Sequence, residues 1–318
     1  MLKYFVKRLI MMIPMIVFIS FLVFVALDLT PGDPLTAQFS PESISGLTHE
    51  QLDALREEAG LNDSLVVRYL RWFGGVLKGD FGYSIQTGTP IGSIIANLLP
   101  ATIYLALAAL VLSVLMGLLF GILSAIKHNT IIDYLSSLFG VIGISMPEFF
   151  IGILAILVFA IQLKWFPAQG RTEIGATFWV NLKYILLPAL SLGLALTAAL
   201  TRYTRNSMLD VMNKNYVKTA RAKGLSEWKV FYRHVFRNAL MPISVLICLR
   251  LPMLIGGSVV IEQVFGYAGI GSRLLTAINS NDYQLVLSII FLLSIVSLLS
   301  SVLIDLITGL LDPRVRYN

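Results

Sequence analysis

Residues 216–242 read YVKTARAKGLSEWKVFYRHVFRNALMP, a polar and basic island in an otherwise apolar chain. Such a stretch cannot lie in hydrocarbon. Gly224 divides it into a short helix and, after Ser226 as a helix N-cap, a second helix on which Trp228, Phe231, Tyr232, Val235 and Phe236 recur along one face. Lys214, Lys218, Arg221, Lys223, Lys229, Arg233 and Arg237 stand against Glu227 alone, and loops of that charge stay on the cytoplasmic side of a membrane. A basic loop that only fixes topology and touches anionic lipid would account for the charge. The helix, glycine, amphipathic helix order exceeds that need, and its aromatics suit a groove on another protein. A docking element is the better reading.

Outward from the island the composition sets the class. The 318 residues are 57% hydrophobic and 13% charged, where soluble domains average roughly 45–50% apolar and about 25% charged. The net charge of +6 is distributed between apolar runs, which points to membrane topology and not to nucleic acid. Apolar runs at 9–27, 100–126, 131–163, 184–200, 241–265 and 285–311 predict an all-α membrane protein with six transmembrane helices, an external N-terminal loop region and a cytoplasmic docking helix. The run at 9–27 is too long for a signal-peptide core and is read as an uncleaved first helix, kinked at Pro14, with both chain termini cytoplasmic. Residues 1–98 then form the first helix plus an external cap, with short helices at 48–59 and 65–77. Residues 99–318 form a five-helix core carrying the cytoplasmic loop 202–240.

Several polar residues fall inside the apolar runs. Gly117 and Gly121 are spaced for close helix packing. Pro147 predicts a break between Ser145 and Glu148 in a run too long to be one straight helix. Glu148 is an ionisable group at membrane depth, as are Arg250 and Asp305, and such residues are candidates for a translocation path. Arg250 is expected to face the bundle or a partner, with Asp305 one possible neighbour.

Known chemistries are missing from the sequence. No G-x-x-x-x-G-K-[ST], H-E-x-x-H or calcium loop occurs, and His49, His128 and His234 are scattered. The single Cys248 forms no disulfide framework and has no accompanying metal ligands. No catalytic residue, metal site or cofactor is expected in this chain.

The island also resembles the coupling loop of ABC importer permeases of the dipeptide and oligopeptide (peptide/nickel) branch, in its first-permease form. Their Ala-Arg-Ala-Lys-Gly core stands here as Ala220, Arg221, Ala222, Lys223 and Gly224, followed by Arg237, Asn238, Ala239, Leu240 and Pro242. Lys218 and Thr219 occupy the first two places of the wider Glu-Ala-Ala motif, so the match is to the branch. Further likenesses are Pro31-Gly32-Asp33-Pro34, Gly60-Leu61, Gly79-Asp80-Phe81-Gly82, Ser145-x-Pro147-x-Phe149, Gly256-Gly257, Glu262, Asp282-Tyr283 and Asp312-Pro313-Arg314. The run from Phe265 to Gly271 matches a Phe-x-x-Pro-Gly-x-Gly series with Ala268 in place of proline.

The resemblance implies that Ala220, Arg221, Ala222, Lys223, Gly224, Leu225, Ser226, Trp228 and Phe231 couple to a cytoplasmic ATPase. It adds Ser145 and Glu262 to the path candidates. It also implies a multi-pass protein of the bacterial inner membrane, in contact with lipid. Its partners would be a homologous second permease, two ATPase subunits that bind ATP and Mg, and an extracytoplasmic substrate-binding protein. The cargo would be di- or oligopeptides, with nickel chelates, glutathione or another small solute as alternatives. Two other classes stand against this reading. An ion-coupled secondary transporter is favoured only by Glu148 and lacks an evident inverted repeat. An intramembrane enzyme would need a nucleophile with a base, or metal ligands, facing each other.

Overall fold

The computed structural model describes residues 2–29, 46–58, 62–170 and 177–311. The helices are α1 (Leu2–Asp28), α2 (His49–Glu58), α3 (Leu65–Leu77), α4 (Ile91–Ile126), α5 (Ile131–Ser145) and α6 (Glu148–Ala155), which runs on as a π-helix, π1 (Ile156–Gln162). They continue with α7 (Phe178–Met212), α8 (Asn215–Ala222) and α9 (Glu227–Lys229), the last passing through a second π-helix, π2 (Val230–Phe236), into α10 (Arg237–Val264). The chain closes with α11 (Ile270–Asn279) and α12 (Tyr283–Leu311). Among the described residues there is no strand beyond an isolated bridge between Tyr83 and Pro90.

The all-helical membrane class is as expected, but the six spans are not alike. Segments of α1, α4, α7 and α12 are each long and apolar enough to cross a bilayer. The other two candidates are bent pairs. Helices α5 and α6 meet at 109°, a turn far sharper than a kinked span. Met146 and Pro147 explain it: both are extended, at ψ 134° and 138°, because a residue before proline is pushed out of the helical region and proline cannot continue the ladder. Each limb alone reaches roughly 22 Å, short of a hydrocarbon core of about 30 Å. The second pair, Glu227–Arg250 and Pro252–Val264, meets at 48°, where Pro252 removes a ladder donor. Helix α1 runs unbroken through Pro14. Helix α7 continues well past the expected end at 200, carrying Arg202 and Arg205 within it. The Pro31–Pro34, Gly60-Leu61 and Asp312–Arg314 likenesses lie outside the described residues.

Tertiary contacts divide the chain into two units, one centred on Ile103–Tyr267, the other made of Val6–Thr102 and Ala268–Leu298. The second unit has a core of Ile91, Ile95, Ile270, Ala277, Leu285, Val286 and Ile289. Helix α2 opens with a capping box in which Thr48 and Gln51 each accept the other's backbone N–H. Helix α3 packs on α1, with buried Tyr69 sharing a 2.9 Å hydrogen bond with Ser20 Oγ and its ring edge-on to Phe21 and Phe24. Ser84 Oγ donates to buried Asp282, and the N–H of Ile270 donates to Thr102 Oγ1 at 2.9 Å. These bonds satisfy polar groups that burial would otherwise penalise.

The first unit is built around α7, whose Leu187, Ala189, Leu192, Leu196, Ala198, Leu200 and Met208 are buried. Gly117 and Gly121 bring α4 against it: a Cβ on Gly117 would lie 2.6 Å from Leu200 Cβ, and one on Gly121 2.5 Å from Thr204 Cβ. The glycine pair therefore serves packing within this chain, where helix backbones touch. Gly143 of α5 meets Ala198 in the same way.

Candidate coupling interface

The island folds as a hydrogen-bonded turn between two helices. Helix α8 ends at Ala222 with Lys223 as its C-cap, and Gly224 follows at φ +78° in the left-handed region. The N–H of Gly224 donates to Arg221 O at 2.9 Å and that of Leu225 to Ala220 O at 3.3 Å. This pair of bonds is a Schellman closure, which satisfies two carbonyls that a helix end leaves open. A Cβ on Gly224 would meet nothing within 4 Å, so glycine is needed there for backbone conformation and not for space. Arg221 reaches over the turn to Glu227, with Nε 3.0 Å from Oε1 and Nη2 3.3 Å from Oε2. Ser226 sits at the N-cap position with extended backbone, but its hydroxyl makes no capping bond; only its carbonyl accepts, from Val230 N–H at 3.0 Å.

Beyond Ser226 the helix departs from the expected face. Val230 and Val235 are buried and Val217 of α8 is fully buried, whereas Trp228 is 75% exposed and Tyr232 63%. The reason is π2: its wider turn brings residues five apart onto one side, so Val230 and Val235 face inward and the aromatic residues do not share that face. The rings instead stack along the outside, Trp228 on Phe231 and Phe231 on Phe236, each at 6.1 Å. Lys214 and the six lysines and arginines of the island are all exposed. Of the residues assigned to coupling, Arg221, Ala222, Lys223, Gly224, Ser226 and Trp228 are exposed, Leu225 and Phe231 are half-buried, and Ala220 is buried. Ala220 thus supports the helix from beneath.

The intramembrane candidates lie on four helices, α5, α6, α10 and α12. Ser145 Oγ turns back onto Val141 O at 2.8 Å. Glu148 opens α6 and lies against α10, its Oε2 3.1 Å from where a Cβ on Gly257 would stand. Arg250 Nη1 reaches Met253 Sδ at 3.1 Å, and Glu262 is fully buried. The side chain of Asp305 lies outside the described residues.

One constellation escaped the sequence reading. Asp133, in the first turn of α5 and 3% exposed, accepts from Arg205 Nε at 2.6 Å on Oδ1 and from Arg205 Nη2 at 2.9 Å on Oδ2. Ser124 Oγ, the N–H of Asn129 at 3.0 Å and His128 Nδ1 at 3.1 Å complete its shell. Asn129 takes φ +61° to present that N–H, a conformation asparagine tolerates. The available signal was a lone acid opening an apolar helix beside Lys127 and His128, with arginines closing the next span.

Helix α7, long and apolar enough to cross a bilayer, leads directly into the island's exposed, hydrogen-bonded helix-turn-helix. Residues 117–317 match the family described as binding-protein-dependent transport system inner membrane component, and residues 1–106 match its N-terminal counterpart. The chain belongs to this family, the multi-pass inner-membrane permeases of binding-protein-dependent ABC importers, and is a transport protein and not an enzyme. It is 37% identical, over 99% of both chains, to the oligopeptide transport system permease protein AppB of Bacillus subtilis (strain 168). It is 34% identical, over 100% of both chains, to the glutathione transport system permease protein GsiC of Escherichia coli (strain K12). These relatives place it in the peptide or glutathione branch, as the island's sequence leads one to expect. Among solved structures, the inward-facing MetNI methionine ABC transporter covers 69% of this chain and 96% of its own with a TM-score of 0.54 at 15% identity, a likeness of fold.

Proposed function

We propose that this chain pairs with a homologous second permease to form the path by which di- or oligopeptides enter the cell. Two cytoplasmic ATPase subunits, which hold ATP and Mg, grip residues 216–236, and an external binding protein delivers the solute. The observation that carries this reading is the exposure of Trp228 and Tyr232 on a segment whose own backbone is fully closed by the turn at Gly224. Large aromatic surface on a stiff, cationic element is what an interface anchor requires. The surrounding positive charge favours the cytoplasmic side for the island and, with each bent pair counted as one crossing, for both termini. Closure of the ATPase dimer displaces the segment, and because π2 runs without interruption into α10, the displacement enters the bundle and alternates access to the path.

Peptide is the preferred cargo because of the 37% identity to an oligopeptide permease; the 34% identity to a glutathione permease supports glutathione as the second reading. The test is uptake by the reconstituted transporter with its own binding protein. Labelled tri- or tetrapeptide should be imported in an ATP-dependent manner and not displaced by excess glutathione. Import of glutathione alone would assign the chain to the second reading, and import driven by a proton gradient without ATP would overturn both.

A further inference from the structure

We propose that Asp133 and Arg205 are positioning residues for energy coupling: they tie the base of the coupling segment to α4 and α5, so that a displacement applied at residues 216–236 moves those helices as well. The inference rests on the docking reading given above for that segment.

The path from handle to base is short and hydrogen-bonded throughout. Arg205 lies two turns before the end of α7, and the link to α8 is a closed turn in which Asn213 N–H donates to Leu209 O at 3.2 Å and Lys214 N–H to Val211 O at 3.0 Å. No slack segment separates them. On the other side, Asp133 gathers a donor from the end of α4 through Ser124, two from the 127–130 turn through His128 and Asn129, and the Arg205 fork from α7. Thr204, the residue before Arg205 on α7, is fully buried, and a Cβ on Gly121 would lie 2.5 Å from its Cβ, so α4 and α7 touch backbone to backbone there. The arrangement locks α4, α5 and α7 at the end from which α8 departs.

The choice of groups argues for registry. Burying a cation with a carboxylate gives no more stability than apolar packing of the same volume, since desolvation offsets the attraction. A bidentate fork does something apolar contact cannot: it sets both the rotation and the axial position of one helix against another. A sliding or rotating α7 would dissipate the stroke; a forked one transmits it.

The test uses the complete transporter in proteoliposomes, with Asp133→Asn, whose one amide oxygen can still accept from Asn129 N–H while its NH2 donates to Ser124, but which loses the charge and one prong of the fork, and Arg205→Lys, which keeps the charge but loses the fork. Three quantities are read: membrane level with ATPase co-purification, photo-cross-linking from position 228 to the ATPase, and ATP hydrolysed per solute imported. With assembly and cross-linking at wild-type level, the ATP-to-solute ratio should rise about five-fold or more in Asp133→Asn, the lower end of ordinary coupling energies between sites, and less in Arg205→Lys. A wild-type ratio in Asp133→Asn overturns the proposal. Loss of both variants from the assembled complex assigns the pair to folding and overturns it equally. Absence of the cross-link in the wild-type transporter would instead sink the docking reading.

Discussion

Arg205 and Arg221 each grip a carboxylate in the same two-point manner, yet their surroundings are opposite. Arg221 and Glu227 form an exposed latch across the turn at Gly224, their side chains 40% and 73% accessible. Arg205 and Asp133 are 23% and 4% accessible and join segments 72 residues apart in the chain. The first pair is local, solvated and weak by nature; the second is buried, long-range and surrounded by further donors. One region is dressed to be held by another protein, the other to hold this protein's helices to each other. A machine driven through a handle needs both, and the two differ in what a mutation should break.

The base should be the more fragile. Gly121→Leu places side-chain atoms where Thr204 Cβ and Thr201 O already stand, and should remove folded permease from the membrane altogether, read as detergent-soluble monodisperse protein. Asp133→Ala leaves Arg205 without its partner and should cost about 3–5 kcal/mol in thermal or denaturant unfolding. The double substitution Asp133→Leu with Arg205→Met should recover only part of that loss, because Ser124 and Asn129 N–H lose their acceptor, while transport stays impaired, which would separate registry from stability.

At the handle, effects should appear in partnership before stability. Trp228→Ala should weaken ATPase binding by about 2 kcal/mol, roughly thirty-fold, with unfolding unchanged; unaltered co-purification would place Trp228 outside the interface. Gly224→Val forces a branched residue into a left-handed conformation at about 1–2 kcal/mol and should impair transport, while Gly224→Asn should be close to normal because the site has room and asparagine accepts that backbone. Glu227→Ala should be the mildest, under about 1 kcal/mol by any stability measure.

The same contrast explains what could be seen in the sequence. The helix, glycine, helix order was legible because every signal in it is local: the basic run, Gly224 at a helix end, and a following helix start. The membrane class and most spans were legible from run length. The aromatic part of the expected face was legible, since Trp228, Phe231, Tyr232 and Phe236 stack in succession; Val235 alone was misassigned, because π2 changes the helical period and turns it inward with Val230. The break at Pro147 was visible, but its 109° turn depends on Met146 being extended as well. Asp133 was missed because its meaning lies in Arg205, 72 residues away, and the lone acid beside Lys127 and His128 did not say which arginine it meets. The intramembrane candidates were chosen by polarity at membrane depth or by resemblance, and neither says which way a side chain turns: Ser145 bonds to its own helix and Arg250 to Met253.

The most direct test of the central claim is a photo-reactive residue placed at position 228 in the intact transporter, with a control at position 107 of α4, which is also exposed. The account predicts a cross-link from 228 to the nucleotide-hydrolysing subunit, retained with and without ATP, and none from 107. Transport at normal rate with no such cross-link from 228 would contradict it.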